Sequence, residues 1–449
     1  MTEPRLRSKS GERPAAVNSP LSHSARKLAL LPLIAATYYM VAGGPYGIED
    51  VVEKTGYRTT LLILLLVPLL WSLPTALMVS ELASALPKEG GFYEWVKRAM
   101  GPFWGYQEAW LTMAGSFFDM ALYPTLFVSY LSHFAPMALS GHWKTILGLT
   151  VIAICTLWNI SGARAVGGGS LLMAILMFGP FLALVVLSFF HKSSGLTSHP
   201  TIAHPDLLGA VLITMWNCMG WDNASTIAEE VDRPQRNYPL AMAGALALVT
   251  LGYLIPIAAV ARTGLNPNIW TTGGFVDLGS IFGGEALAAA MAIGGILASL
   301  GAFNSLMLSL SRIPLAMTQD GYLPRIFALR HPRTGVPWVA VVGCAIGWTF
   351  CFQLGFEPLV VLDILVTGSS ILLEFCALVV LRVREPNLAR PYRIPGGFFG
   401  TAALCAGPTL LMLLAFKRSL VQDAWGFNAL ALGFVLMAAG PIFYLLTKI

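Results

Sequence analysis

Asp119, Asp222 and Glu374 stand inside otherwise apolar stretches of this sequence. A carboxyl group in such a place can clamp a cation, carry a proton in its neutral form, or bond the backbone of a neighbouring helix. A charged side chain at the middle of a bilayer costs about 2.5–3.5 kcal/mol even on the gentler insertion scale, so something must offset it. No Lys or Arg lies at matching depth in any of the apolar stretches. Unpaired carboxylates facing one cavity favour ammonium groups or protons. Tyr38, Tyr39, Tyr46, Tyr123, Trp216 and Trp221 offer cation–π faces at about 0.5–2 kcal/mol each. An α-amino acid would seat its carboxylate elsewhere, on the free N–H groups near Gly43 to Gly47, at the positive end of a half-helix.

These residues need a scaffold, and the composition says which kind. Apolar residues make up 56% of 449 residues and charged residues only 11%, against about 25% charged in a soluble domain. Such a chain cannot cover itself in water, and the solvent it fits is lipid. Apolar runs of about 20 residues are long enough to cross a bilayer core. Twelve are visible, at 28–50, 59–85, 106–134, 144–161, 168–190, 207–230, 237–261, 285–317, 337–355, 358–382, 398–417 and 424–446. Residues 1–27 are polar and basic, with no cleavable signal, and read as a disordered cytoplasmic tail. Alternating the links across the membrane puts 21 of the 28 Lys and Arg residues on the side of the N-terminus and 7 on the other. Positive charge marks the cytoplasmic side, so both termini are expected inside a plasma membrane, and the short links fit a bacterial inner membrane. No basic tract with interleaved aromatics points to nucleic acid. The six cysteines have no CxxC or His partner and read as small buried hydrophobes, so neither a metal nor another cofactor is expected.

Spans one and six are interrupted. The first runs through Gly43-Gly44-Pro45-Tyr46-Gly47, and the sixth through Trp216-Asn217-Cys218-Met219-Gly220-Trp221-Asp222. Glycine costs about 1 kcal/mol and proline about 3 kcal/mol against alanine inside a helix. Unwound backbone at membrane depth persists only when buried in protein or lining a cavity. Two such breaks five spans apart are the mark of an inverted-repeat transporter, whose substrate sits at the breaks. The expected substrate-binding set is Gly43, Gly44, Tyr46, Gly47, Asp119, Tyr123, Trp216, Asn217, Trp221 and Asp222. Glu49 and Asp50, at the outer end of span one, are read either as an attracting vestibule or as a solvated helix end. Glu230 is expected to pair with an arginine of a link as a gate. Glu374 is a coupling or gating candidate.

The sequence resembles the amino acid–polyamine–organocation superfamily over essentially all twelve spans. Glu81-Leu82 with Pro87, Gly90-Gly91, Tyr93 and Trp95 is similar to that superfamily's segment after span two. Arg312, Asp320-Gly321 and Pro324 are similar to its link after span eight. Leu381-Arg382, Pro386, Arg390-Pro391-Tyr392 and Pro395 are similar to its link after span ten. Within it, the sequence looks most like the polyamine uptake transporters of plants and protists and their bacterial relatives. Gly43–Asp50, Asp119–Pro124, Trp221-Asp222 through Glu230-Val231, and Leu373–Ala377 carry that likeness. The resemblance implies proton-linked uptake of putrescine, spermidine and similar amines by alternating access. One departure is that 168–190 holds no charged residue, where several amino-acid branches place a lysine.

The expectation is therefore an all-α membrane protein of twelve transmembrane helices, not an enzyme. Spans 1–5 (28–190) and 6–10 (207–382) would form a five-plus-five inverted repeat with helices one and six discontinuous, followed by spans 11–12 (398–449). Its partners would be the lipid bilayer, a small cationic substrate (a polyamine or an amino acid) and a coupling proton. Import of polyamines or other organic cations, amino-acid permeation as symport or exchange, and a ligand sensor that does not transport are the readings left open.

Overall fold

The computed structural model describes residues 27–191, 202, 204–271, 273–350, 356–424 and 426–447. The expected tail falls almost wholly outside them, as does Cys351. Within them the chain is helical except for links and one pairing of two-residue strands, Asp423–Ala424 with Phe427–Asn428.

The first expected span is a short helix, α1 (Leu30–Val41), that ends where the glycines begin. After seven unwound residues the chain re-enters a helix as α2 (Glu49–Val67), bent at Gly56, and continues to α3 (Leu73–Ala85). Pro68 and Pro74 remove two backbone donors from this long helix, and the turn Pro68–Ser72 widens to a π-turn in between. A surface helix α4 (Phe92–Met100) leads into α5 (Pro102–Leu131), then α6 (Gly141–Ile160) and α7 (Ala163–Phe190). The sixth expected span is also broken: α8 (Leu207–Trp216) stops, and a 3₁₀ helix over Asp222–Glu230 resumes. Beyond it come α9 (Pro234–Ala261), α10 (Gly274–Leu310, bent at Gly284), α11 (Arg312–Gln319), α12 (Trp338–Trp348) and α13 (Phe356–Arg384). The last elements are α14 (Gly397–Leu404), α15 (Ala406–Ser419) and α16 (Ala429–Leu446). Span twelve starts later than its hydropathy indicates, because Asn428 caps α16 by accepting from the N–H groups of Leu430 and Ala431.

Among the described residues nine helical stretches are long and apolar enough to cross a membrane, and three shorter apolar helices, α1, α8 and α12, fall in the remaining expected spans. The two broken helices lie at the centre, with α1 packed on α7, α9 and α10. They also touch at one end, where Leu28 and Val231 form a parallel bridge. Around them α5 lies along α13 and α10. Outer helices present large apolar side chains outward, such as Leu157, Leu182 and Val435, each about two-thirds exposed or more. Side chains of this kind in such number suit contact with lipid tails rather than water.

Ion pairs between elements gather at the two ends of the bundle. One end carries Glu230–Arg312, Glu81–Arg382, Glu81–Arg390, Glu89–Arg330, Lys97–Asp320 and Arg98–Glu385. The other carries Lys54–Asp206, Arg418–Asp206, Arg418–Glu357 and His133–Glu285. The basic partners at the first end are all ones that the alternation of links assigns to the side of the N-terminus, and Lys54 and Arg418 are ones it assigns to the other side.

Candidate functional site

The unwound segments face each other and are tied together. Asn217 Nδ2 donates to the Gly47 carbonyl at 3.3 Å and to the Ile213 carbonyl at 2.9 Å, so one side chain finishes α8 and holds the other break. Tyr253 donates its hydroxyl to the Asn217 carbonyl at 2.8 Å, and Tyr238 to the Ala224 carbonyl at 2.6 Å. Carbonyls that an intact helix would satisfy internally find tyrosine donors instead, as buried backbone groups must. Gly220 makes the closest approach. It has φ +89°, and a Cβ there would run into the Met40 carbonyl at the end of α1, beside the first break. Gly220→Ala adds left-handed strain of roughly 1–2 kcal/mol and a backbone clash. It should cut uptake by about tenfold or more at normal membrane levels, measured as initial rate in proteoliposomes.

Beside the breaks lies a small, narrow cavity. Its walls come from the end of α1 (Met40, Val41), the end of α8 (Trp216), the second break (Met219, Gly220), the start of the 3₁₀ helix (Asp222, Asn223), α5 (Thr112, Ser116, Asp119, Tyr123), α10 (Leu310) and α13 (Asp363, Thr367). A smaller cavity shares Val41, Tyr123 and Trp216 with it and adds Gly43, Tyr46 and Asn217. Seven of the ten expected substrate-binding residues thus border one or both: Gly43, Tyr46, Asp119, Tyr123, Trp216, Asn217 and Asp222.

The other three do not line either cavity. Gly44 packs against Met177 and Tyr46, and Gly47 against Trp216 and Asn217. Trp221 is fully buried with its indole N–H on the Cys218 carbonyl at 2.9 Å, closing the turn of its own break. Of the expected cation–π aromatics, Tyr38 and Tyr39 also turn away, edge to face with each other at 5.7 Å, Tyr38 packing on Phe178 as well.

The acids divide by environment. Asp119 Oδ1 accepts from Tyr123 Oη and from Trp216 Nε1, both at 3.0 Å, which orients the carboxylate and both rings along one wall. Asp222 opens the 3₁₀ helix, is 1% exposed, and leaves Oδ1 with no hydrogen-bond partner. Asp363 is a third acid on the same cavity. Thr367 donates to it at 2.7 Å, and it interacts electrostatically with Asp119 and Asp222. No Lys, Arg or His lines either cavity. Asp363 was not expected from sequence, yet a signal existed. Thr112, Ser116, Asp119 and Tyr123 fall at helical spacing on α5, and Asp363, Thr367, Ser370 and Glu374 repeat that spacing on α13, so each set lines one face.

Glu49 corrects an expectation. It is neither a vestibule group nor a solvated helix end, being 0% exposed. Its carboxylate accepts from the Gly47 N–H at 2.6 Å and from Tyr130 Oη at 2.8 Å. The protein therefore fills one of the backbone donors near Gly43–Gly47 with its own carboxylate, and Pro45 supplies no N–H at all. Fewer donors remain there for the carboxylate of an amino acid. Asp50, next to it, is half-buried. Glu374 also departs from a simple gate position. It is 0% exposed between α13 and α5, off both cavity walls.

Side chains pack across both ends of the cavity. Towards the end carrying Lys54 and Arg418, Tyr46 packs edge-on against Tyr130, Phe181 and Phe275 at 4.9, 5.0 and 5.8 Å. Trp270 extends this plug, donating to Tyr57 Oη at 2.8 Å. Towards the other end, Glu230 accepts two hydrogen bonds from the buried Arg312, at 2.9 and 3.1 Å. Gly91, at φ +41°, lets the link before α4 press directly on Ser225, whose hydroxyl accepts the Phe92 N–H at 3.2 Å. Tyr93 and Lys97 of α4 both bond Asp320. Outside the spans, the guanidinium of Arg98 holds the Glu385 carboxyl below its ordinary range, so that pair stays charged at physiological pH.

Comparison with known proteins follows the same lines. A model of the amino acid permease family matches residues 28–439. The chain is 34% identical over 400 residues to a probable polyamine transporter of Arabidopsis thaliana, covering 88% of this chain and 83% of that one. It is 33% identical to the polyamine transporter RMV1 of the same plant, covering 92% and 84%. Against the polyamine transporter PUT1 of Oryza sativa subsp. japonica the identity is again 33%, over 94% and 79%.

Proposed function

The chain belongs to the amino acid permease family and is a membrane transporter rather than an enzyme, and from that premise we propose that it imports polyamines or closely related organic cations by alternating access, driven by the proton gradient. The observation that carries this reading is the cavity wall: Asp119, Asp222 and Asp363 border it, and no basic side chain does. An ammonium group entering it meets a carboxylate oxygen on Asp222 that no resident donor occupies. A diamine has a second positive end, and Asp119 with the Tyr123 and Trp216 rings offers it both charge and π-faces. Each such face contributes about 0.5–2 kcal/mol. The names of the similar plant proteins support the same cargo.

In this reading the twelve apolar stretches are twelve spans, the first ten forming two inverted five-span repeats whose first helices are the broken ones. The end carrying Arg312, Arg382 and Arg390 faces the cytoplasm, because basic residues concentrate there. The described conformation is then occluded, with the aromatic plug around Tyr46 outside and the Glu230–Arg312 pair inside. Opening inward requires that pair to separate. Arg312→Ala should therefore leave the inner gate loose. Amine efflux from preloaded vesicles should rise relative to wild type, and uptake that resists internal washout should fall. Unchanged efflux would remove Arg312 from the gate.

Amino-acid transport is the second reading, favoured by the glycine backbone at Gly43 bordering the smaller cavity and by the family at large. Uptake of labelled putrescine into proteoliposomes, with and without an inward proton gradient, separates the two. Stimulation by the gradient, with suppression by spermidine and none by leucine or arginine, supports the amine. Uptake of an amino acid and no uptake of putrescine assigns the cavity to amino acids, and leaves the carboxylates as structural or proton-handling groups.

A further inference from the structure

The polar stripes on α5 and α13 do not stop at the cavity. They run antiparallel against each other, and the contacts can be followed along them. Asp363 and Thr367 pack beside Gly115. About one turn further, Thr112 Oγ1 and Ser370 Oγ lie 3.2 Å apart, and Ser370 donates to Glu108 Oε1 at 2.7 Å. Glu374, four residues beyond Ser370 on the same face, ends the column. From Asp119 to Glu108, and from Asp363 to Glu374, the helices advance eleven residues, about 16 Å. The column leads from the cavity towards the end that carries Arg98 and Glu385.

At its far end two carboxyl groups are sealed from solvent. Glu108 and Glu374 are both 0% exposed. Glu108 Oε2 and both oxygens of Glu374 have no hydrogen-bond partner. Asp222 and Glu108 act electrostatically on Glu374, and Asp222 on Glu108; all three are acidic. An unpaired charge in such a place costs several kcal/mol, and two adjacent ones cost more. Among the described residues no three acidic, His or Cys side chains converge closely enough to ligate a metal ion. A proton neutralises such a carboxyl group without needing any further ligand.

We propose that Glu108 and Glu374 together hold the coupling proton, and that the Thr367–Ser370–Thr112 column connects this pair to the amine cavity. The inference rests on the proposed gradient-driven import and names where its proton resides. The occluded conformation keeps the pair dry and therefore protonated. Separation of α5 from α13 as the basic end opens admits water, the carboxylate becomes stable there, and the proton leaves on that side. Proton transfer is thereby tied to the inward step without any contact between the proton and the amine.

Two measurements test this. In purified protein with no substrate, the infrared band of a protonated carboxyl group should titrate with pH, and should lose intensity in both Glu108→Gln and Glu374→Gln. In proteoliposomes, both variants should still exchange putrescine across the membrane at the wild-type rate, yet fail to accumulate it on an inward proton gradient. Accumulation like wild type in both variants would overturn the proposal, as would an unchanged infrared band or a band that responds to sodium instead of pH. Loss of exchange in both folded variants would also overturn it, by making the pair part of amine binding or of the scaffold. If either variant fails to fold, the other carries both measurements. A wild-type protein that moves no putrescine counts against the cargo alone, because the infrared result is read without any cargo.

Discussion

Asp222→Asn should abolish amine uptake while leaving the protein at least as stable as the wild type. Asparagine keeps the volume and removes the charge, so packing at the start of the 3₁₀ helix is preserved. Asp222 sits 1% exposed with one oxygen unpartnered, which is a standing cost in the empty protein. Removing a buried partner of a charged ligand group forfeits about 2–5 kcal/mol, roughly 30-fold to several-thousand-fold in affinity. The two effects have opposite signs. A melting temperature equal to or above wild type, with the putrescine-induced rise in melting temperature gone, is the expected pair of results. Local strain or an unsatisfied group kept for function has this signature. Normal diamine transport by the variant would take Asp222 out of the site.

The second large effect concerns stability instead of transport. Glu81 is 0% exposed and collects Arg382, Arg390 Nε at 3.1 Å and the Ile394 N–H at 2.8 Å. Arg382 in turn reaches the Ile394 carbonyl at 3.2 Å. One carboxylate thus fastens the link after α13 to the end of α3. Arg382→Met leaves a buried carboxylate short of its main partner, which costs about 3–5 kcal/mol. Melting temperature in detergent should fall sharply, and so should the amount of folded protein in the membrane. Glu81→Gln combined with Arg382→Met should be less destabilised than the sum of the single variants, by roughly 0.5–3 kcal/mol. Strict additivity, or an unaltered melting temperature in Arg382→Met, would show that the pair contributes nothing to holding the link.

The two breaks illustrate what the linear chain can decide. Glycine and proline act locally, through φ preference and a missing N–H, so Gly43–Gly47 and Gly220 mark where helices stop without knowledge of any neighbour. Hydropathy acts over one helix length, and each expected apolar stretch contains a helix for that reason. Glu230 pairs with Arg312, as the position of an acid beside a basic link led one to expect. Seven of the ten expected binding residues reach a cavity because they sit at, or one helix away from, a break.

What only the tertiary structure decided are the meetings between distant segments. Glu49 reads as a surface acid from its place at a helix end, and is buried because Tyr130, 81 residues away, and the Gly47 N–H converge on it. Trp221 reads as a lining aromatic and instead closes its own turn, since the break folds back by three residues. Asp363, Glu108 and Glu374 become one polar column with Asp119 only when α13 lies antiparallel on α5. Charge and spacing along a chain state what each residue needs; which partner answers that need depends on how helices hundreds of residues apart pack, and no local propensity encodes that choice.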